Sequence, residues 1–426
     1  MPKPTAVVMN MFYTGLGIAR SLGEHGVPVI GLSAERGIYG SFTRYAKTRI
    51  CPDSRRQPEE LLTDLIDLGK SLGYRAVLFP TRDHDCMFID RYRSELAPWF
   101  SFVLPEAEVL DVCIDKWKTY QWAERSGVDT PQCWLLDGDA DLSAMLNDIK
   151  YPCVLKPVAA HQWRTGENWS LVGARKAIPI STPHELLTEY SAVSRADKRA
   201  LVQELVSGGD DCLAVTACYL DSNSNWVAGF NIKKLLQSPE GFGTGCIVQA
   251  AEYPELCETT ARLLRNMRFT GIAEVEYKWD VTKGTYRLIE INPRPWDQHR
   301  LGKSCGVDLA YLAYCEHAGQ PLPALQPRVS ADKWVAEDVF LMEALWRSYK
   351  RKGNVGSLFH MAKGRRTYAV WSAADPLPLV VWFGLSFVPA LANMARLFWS
   401  KLVNSFYPKS EVVHSENQAT LGDRRG

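Results

Sequence analysis

The sequence predicts an α/β protein of more than one domain. The first hundred residues alternate short apolar strands with helical patterns, the succession expected of a doubly wound parallel sheet. Further along, β-rich runs joined by turns read as antiparallel pairs. The length, 426 residues, exceeds one average domain, and 46% apolar with 23% charged residues suits a globular chain with a sizeable core. A net charge of +1 gives no case for a nucleic-acid partner. The 11 cysteines are scattered without a C-x-x-C pair or zinc spacing, so they read as reduced thiols rather than a disulfide framework. The opening MPKPTAVVMNMFYTGLG has no long apolar core, and no signal peptide is expected.

Thr5–Met9 reads as a strand, residues 18–23 as a helix and Val27–Leu32 as a second strand. Gly15-x-Gly17 suggests the intervening turn, either a partial dinucleotide fingerprint or, better, a structural turn, since the third glycine is missing. Residues 58–73 form an amphipathic helix, and Ala76–Phe79 a buried strand that ends in Pro-Thr-Arg-Asp-His-Asp. Ligands bind beyond the carboxyl ends of strands in open α/β sheets, which gives Asp83, His84 and Asp85 a place in a cleft. The same residues equally suit a helix N-terminus. Phe100–Leu104 is the next strand.

Asp115-Lys116 precedes a helix closed by Gly127. Cys133–Leu136 is extended, Asp139–Ile149 helical, and Tyr151–Pro157 a strand that holds Lys156 among apolar residues. An ammonium there needs a partner such as a nucleotide phosphate. The loop 158–166, with His161, Trp163 and Arg164, is either a lid over phosphates or a polar connection. Pro183–Ser191 is helical and Leu201–Val206 a strand. Leu213–Leu220 and Trp226–Ile232 are antiparallel partners followed by Lys233-Lys234. The glycine cluster 240–245 is a phosphate cradle or a surface loop. Tyr253–Met267 is a helix.

The stretch 271–300 then reads as a hairpin, GIAEVEYKWDVTKGTYRLIEINPRPWDQHR. Alternation puts Glu274 with Glu276 on one face and Glu290 with Asn292 on one face. If the strands pair, Glu276, Glu290 and Asn292 converge as the oxygen ligands Mg²⁺ takes beside substrate phosphates.

Four pieces stand in a fixed order: Asp115-Lys116, Val154-Leu155-Lys156-Pro157, Gln203-Glu204-Leu205-Val206 with Asp211, and Glu276 with Glu290-Ile291-Asn292-Pro293-Arg294. Together they resemble the ATP-grasp superfamily of carboxylate–amine ligases over roughly residues 1–320. Pro-Thr-Arg-Asp-His at 80–84 and Asn-Pro-Arg-Pro-Trp-Asp-Gln-His at 292–299 resemble its carbamoyl-phosphate-synthetase-like branch, which includes D-aspartate ligase. The resemblance implies an α/β (α+β) ATP-grasp fold with a doubly wound pre-ATP-grasp domain (1–112), an ATP-grasp domain (113–325) and a C-terminal extension (326–410). It further implies ATP with Mg²⁺, or Mn²⁺ in its place.

Residue by residue, Lys116 and Lys156 would contact the α- and β-phosphates. Glu204 would meet the adenine amino group beside the Val206 backbone, and Asp211 the ribose. Glu276, Glu290 and Asn292 would hold the metal, and Arg294 would face the γ-phosphate as the catalytic residue. Lys233 or Lys234 would add phosphate contacts. Substrate determinants are expected at Asp83, His84, His161, Lys233, His299 and Arg300. The reaction implied is phosphorylation of a small-molecule carboxylate to an acyl-phosphate, which an amine then attacks. The alternatives are a kinase acting on a hydroxyl or enolate, and a non-catalytic nucleotide-binding module of a cell-envelope assembly.

Beyond residue 330, 334–352 reads as a helix or a strand and helix, and 364–371 as a basic strand. The uncharged stretch 376–395 is interrupted by Pro376, Pro378, Gly384 and Pro389. It suits an interfacial membrane segment, a buried hairpin or a span, with peripheral membrane contact through 376–410 as one expectation. A cytoplasmic enzyme, at the inner membrane face if that contact forms, and a homodimer complete the expectations. Residues 411–426 read as a disordered tail.

Overall fold

Three sheets succeed one another along the chain; the computed structural model describes residues 3–239, 241–350 and 355–388. The first sheet contains β1 (Ala6–Met9), β2 (Val29–Ser33), β3 (Lys47–Ile50), β4 (Ala76–Phe79) and β5 (Phe100–Phe102). They pair in parallel in the order β3-β2-β1-β4-β5. The central strands AVVM and AVLF are buried throughout, as a parallel sheet covered on both faces requires. The helix Pro58–Leu72 has Pro58 in its first turn, Glu59 and Glu60 beside it and Gly73 at φ 71° as its stop.

Gly15 and Gly17 lie inside the helix Tyr13–Glu24 rather than in a turn. The turn before it is made by Asn10 at φ 67°. A Cβ on Gly15 would stand 1.9 Å from the Asn10 carbonyl oxygen, and one on Gly17 2.6 Å from His299 Nε2. These glycines therefore serve close packing, and the dinucleotide alternative loses its turn.

The second sheet contains β6 (Cys133–Asp137), β7 (Cys153–Pro157), β8 (Ile178–Ile180) and β9 (Arg199–Glu204), antiparallel in the order β6-β9-β7-β8. The segment after β7 is not an open loop. It forms the short helices Ala160–Trp163 and Gly166–Leu171, with the Trp163 side chain wholly buried.

The third sheet has β10 (Leu213–Leu220), β11 (Trp226–Ser238), β12 (Thr244–Ala251), β13 (Gly271–Asp280), β14 (Thr285–Asn292), β15 (Lys333–Val335) and β16 (Arg366–Tyr368). Its order is β14-β13-β10-β11-β12-β15-β16, antiparallel except between β15 and β16. β11 continues through Lys233 and Lys234 to Ser238, and β12 follows the glycine cluster; neither was expected.

The segment beyond 330 is built into this sheet through β15 and β16. It also reaches the first sheet: Arg20 Nε lies 2.8 Å from Asp375 Oδ2, with both side chains 1% exposed. Thr43 Oγ1 donates to the same carboxylate at 2.6 Å and the Arg44 amide at 3.0 Å. Arg20 Nη2 donates to Val370 O at 2.8 Å. This satisfies the requirement that a buried charge be paired and hydrogen-bonded.

Of the uncharged stretch 376–395, the structure describes the helix Leu377–Trp382 and the π-helical turn Phe383–Phe387. The remainder from 389, and the tail 411–426, lie outside the described residues. Among the described residues no helix is long and apolar enough to cross a membrane.

Candidate active site

A cavity of about 680 Å³ opens where the three sheets meet. Residues from the ends of β4, β7 and β9, from β11 and from the β13–β14 hairpin line it. In that hairpin Glu274 pairs with Asn292 and Glu276 with Glu290 in register. Cross-strand partners share a face, so all four side chains point the same way, into the cavity.

The carboxylates meet lysines from other elements. Asp115 caps the helix Lys116–Arg125 by accepting from the Lys118 amide at 3.0 Å, which sets Lys116 at the first helical position. Lys116 Nζ then stands 3.2 Å from Glu290 Oε2. Lys234 pairs with Glu276. Asn292 Nδ2 donates to Glu274 Oε2 at 3.0 Å and Glu290 Oε1 at 3.2 Å. Burial opposes ionisation of Glu290, yet Lys116 and Lys234 hold its carboxyl well below the usual range. Glu274 goes the other way: burial, with Glu276 and Glu290 beside it, pushes it up to about 8 despite Lys234.

Among the described residues Lys156 has no carboxylate contact. Its ammonium donates to Tyr120 Oη at 2.9 Å and to Gln203 Oε1. Burial, then Lys116, lowers it to about 8. Arg294 Nε donates to Asp83 Oδ1 at 2.7 Å. His84 and His161 line the same wall with ring centroids 5.8 Å apart. Burial keeps both imidazoles below their ordinary pKa.

Lys116, Lys156, Val206, Glu276, Glu290, Asn292, Arg294, Asp83, His84 and His161 thus line one cavity. The other expected residues do not. The Glu204 carboxylate is held by Lys283 at 3.0 Å and Arg287 at 3.3 Å, so Gln203, Leu205 and Val206 form the cavity wall there. Asp211 is exposed in the short turn Asp210–Cys212, outside the lining. Lys233 points the wrong way: Glu276 pairs with Val215 and Val215 with Ile232, so alternation puts Lys234, not Lys233, on the cavity face. His299 is buried against the Thr14 carbonyl oxygen at 3.2 Å, and burial lowers it to about 4. Arg300 pairs with Glu24 at 2.8 Å.

Among the described residues no group of three or more His, Cys, Asp or Glu side chains is arranged to hold a metal ion. The Glu276 and Glu290 carboxylates converge, while Asn292 turns its amide nitrogen to Glu274 and Glu290, so its oxygen would join them only on rotation of the amide. Such a hard-oxygen set would suit Mg²⁺ shared with phosphate oxygens.

The parallel sheet, the lysine-bearing antiparallel sheet and the carboxylate hairpin together have the ATP-grasp fold. Residues 244–325 match the ATP binding domain of the carbamoyl-phosphate synthase L chain. The chain is 21% identical to the D-aspartate ligase of Enterococcus faecium (strain Aus0004) over 297 residues, 67% of this chain and 69% of that protein. The biotin carboxylase of Campylobacter jejuni, solved with β-γ-ATP, superposes with a TM-score of 0.60 at 19% identity, covering 76% of this chain and 72% of that one. The biotin carboxylase domain dimer of Hydrogenobacter thermophilus 2-oxoglutarate carboxylase, with MgADP, gives 0.60 at 16% identity over 78% and 73%. The chain therefore shares the ATP-grasp fold with these structures and is similar in sequence to a ligase over two thirds of its length.

Proposed function

We propose that this enzyme joins a carboxylate to an amine in the cytoplasm through an acyl-phosphate, releasing ADP and phosphate. The observation that carries the reading is the in-register hairpin, which sets Glu276 and Glu290 opposite Lys234 and Lys116 over one cavity. Lys116, Lys156 and Lys234 bind the nucleotide phosphates, and the backbone around Leu205 and Val206 receives the base. Glu276, Glu290 and Asn292 would hold Mg²⁺, whose chemistry there would be neutralisation of phosphate charge. Arg294, oriented by Asp83, stabilises the transferring phosphoryl group. Walls from three sheets keep water from the acyl-phosphate until the amine arrives. The name of the enterococcal relative supports an amino acid as one substrate. With hydroxylamine as the amine and a panel of organic and amino acids, ADP release should accompany hydroxamate formation. A stable phosphate ester, or no product with any acid, would overturn the ligase reading.

Membrane contact through 376–410 is a separate part of the proposal. Its support is the exposure of Val380 (64%) and Leu385 (59%) beside the buried Asp375 anchor. Flotation of the full chain with anionic vesicles tests it; a chain that stays wholly at the bottom of the gradient sinks it.

A further inference from the structure

Most charges in the cavity are matched. Arg82 stands 3.3 Å from Asp53, Arg294 2.7 Å from Asp83 and Lys116 3.2 Å from Glu290, and Lys234 meets Glu276. One corner departs from this. A shallow side pocket of about 410 Å³, continuous with the main cavity, is lined by Arg55, Arg164, Gly166, Trp169 and Lys176. Three cations face it, and no acidic side chain lines it.

These cations come from separate parts of the chain. Arg55 lies between β3 and the helix Pro58–Leu72, Arg164 follows the helix Ala160–Trp163, and Lys176 precedes β8. The Arg55 guanidinium donates to the Arg164 carbonyl oxygen at 3.3 Å, which holds the two arginines together. Lys176 donates to Thr244 Oγ1 at 2.8 Å. Among the described residues none of the three has a carboxylate partner. Its neighbour Arg175, by contrast, is held by Glu189 at 2.7 and 3.0 Å. Burial, then Arg164, lowers Lys176 to about 8. Arg55 and Arg164 are exposed and Lys176 is half-buried, so their summed positive potential is open to an arriving oxyanion.

We propose that the Arg55–Arg164–Lys176 pocket binds a second oxyanion of the substrate, beyond the carboxylate that is activated. The inference rests on the ligase reading and adds the substrate class: a dicarboxylate, or an acid that bears a phosphate ester. Arginine forks suit either oxyanion, and Trp169 supplies an apolar wall for the carbon skeleton between the two charges.

The test uses the full chain saturated with a β,γ-non-hydrolysable ATP analogue and Mg²⁺, so that the nucleotide's own phosphates are in place. Succinate, butyrate and inorganic phosphate are titrated by calorimetry. Succinate or phosphate should bind where butyrate does not, and the better of the two tells a carboxylate from a phosphate source. Arg55→Gln and Lys176→Gln should each weaken that anion about tenfold, as expected for a lost charge-assisted hydrogen bond, and Lys176→Arg should restore most of it. Nucleotide affinity should stay within about twofold in all three variants. Equal binding of succinate and butyrate overturns the proposal. So does a variant that weakens the nucleotide as much as the anion, because the corner then belongs to the nucleotide site. Failure of the wild-type chain to bind the nucleotide would instead sink the ligase reading.

Discussion

Lys116 Nζ and Glu290 Oε2 stand 3.2 Å apart, a helix-borne cation and a strand-borne anion on the wall of one cavity. Each is the other's counter-ion in the structure described here. The contact must loosen when phosphates and metal enter, since both sides then have stronger partners. Glu290→Gln is therefore expected to cut turnover about 10²–10³-fold, the scale of losing one preorganised electrostatic contact in a reaction site. Steady-state kinetics at saturating Mg²⁺ check it; near-normal ATP-dependent turnover would remove the metal assignment.

Lys234 and Lys233 are neighbours on opposite faces of β11, and this gives a paired prediction. Lys234→Ala should lose most activity, because Lys234 faces the cavity and holds Glu276. Lys233→Ala should stay within about twofold of wild type, as expected for a residue outside the site. Equal losses in the two variants would mean that the strand register is not what orders the site.

Lys156 makes nucleotide binding depend on pH. Burial and Lys116 lower it to about 8 from the ordinary 10.5. The unfolded chain therefore holds more protons on this lysine between these values, so Lys156 contributes a gain in stability as pH rises from 8 toward 10.5, against the opposite contribution of buried thiols raised above their ordinary value. ATP favours the charged ammonium, so ATP affinity should fall as pH rises through about 8. Lys176, lowered to about the same value, adds a second contribution to the stability slope but none to ATP affinity. Lys156→Met and Lys176→Met should each remove their own part of that slope, and only Lys156→Met should change the pH dependence of ATP affinity. Melting curves and calorimetric titrations at pH values on both sides of 8 measure both slopes.

Arg20 and Asp375 form a fully buried pair 2.8 Å apart. Asp375→Leu or Arg20→Met is expected to destabilise the fold by about 3–5 kcal/mol, because an uncompensated charge remains inside. The double variant Arg20→Met/Asp375→Leu should recover much of that loss. Chemical denaturation of the four proteins reads the coupling directly.

Strong local signals carried far into the structure. The apolar runs of β1 and β4, the Pro58 start and Gly73 stop of a helix, and the hairpin turn before Thr285 are decided by neighbours in sequence, and all were legible there. The same holds for Lys116, Lys156 and the hairpin acids. What escaped was set by partners distant in sequence. Glu204 looks like a nucleotide ligand until Lys283 and Arg287 come to it. His299 is polar in sequence but fills the space opposite Gly17. Lys234 was within reach of a parity argument, had β11 been extended past Ile232. The pairing of Arg20 with Asp375 had no local signal at all.

That last pair has a consequence for synthesis. Arg20 leaves the ribosome 355 residues before its counter-ion exists. At roughly 5–20 residues per second the wait is about 20–70 s. Through that interval the opening strand and helix carry a guanidinium without the carboxylate that pairs with it in the folded chain. A nascent chain stalled before residue 375 should be cut by protease near Arg20, and one stalled well past it should be protected.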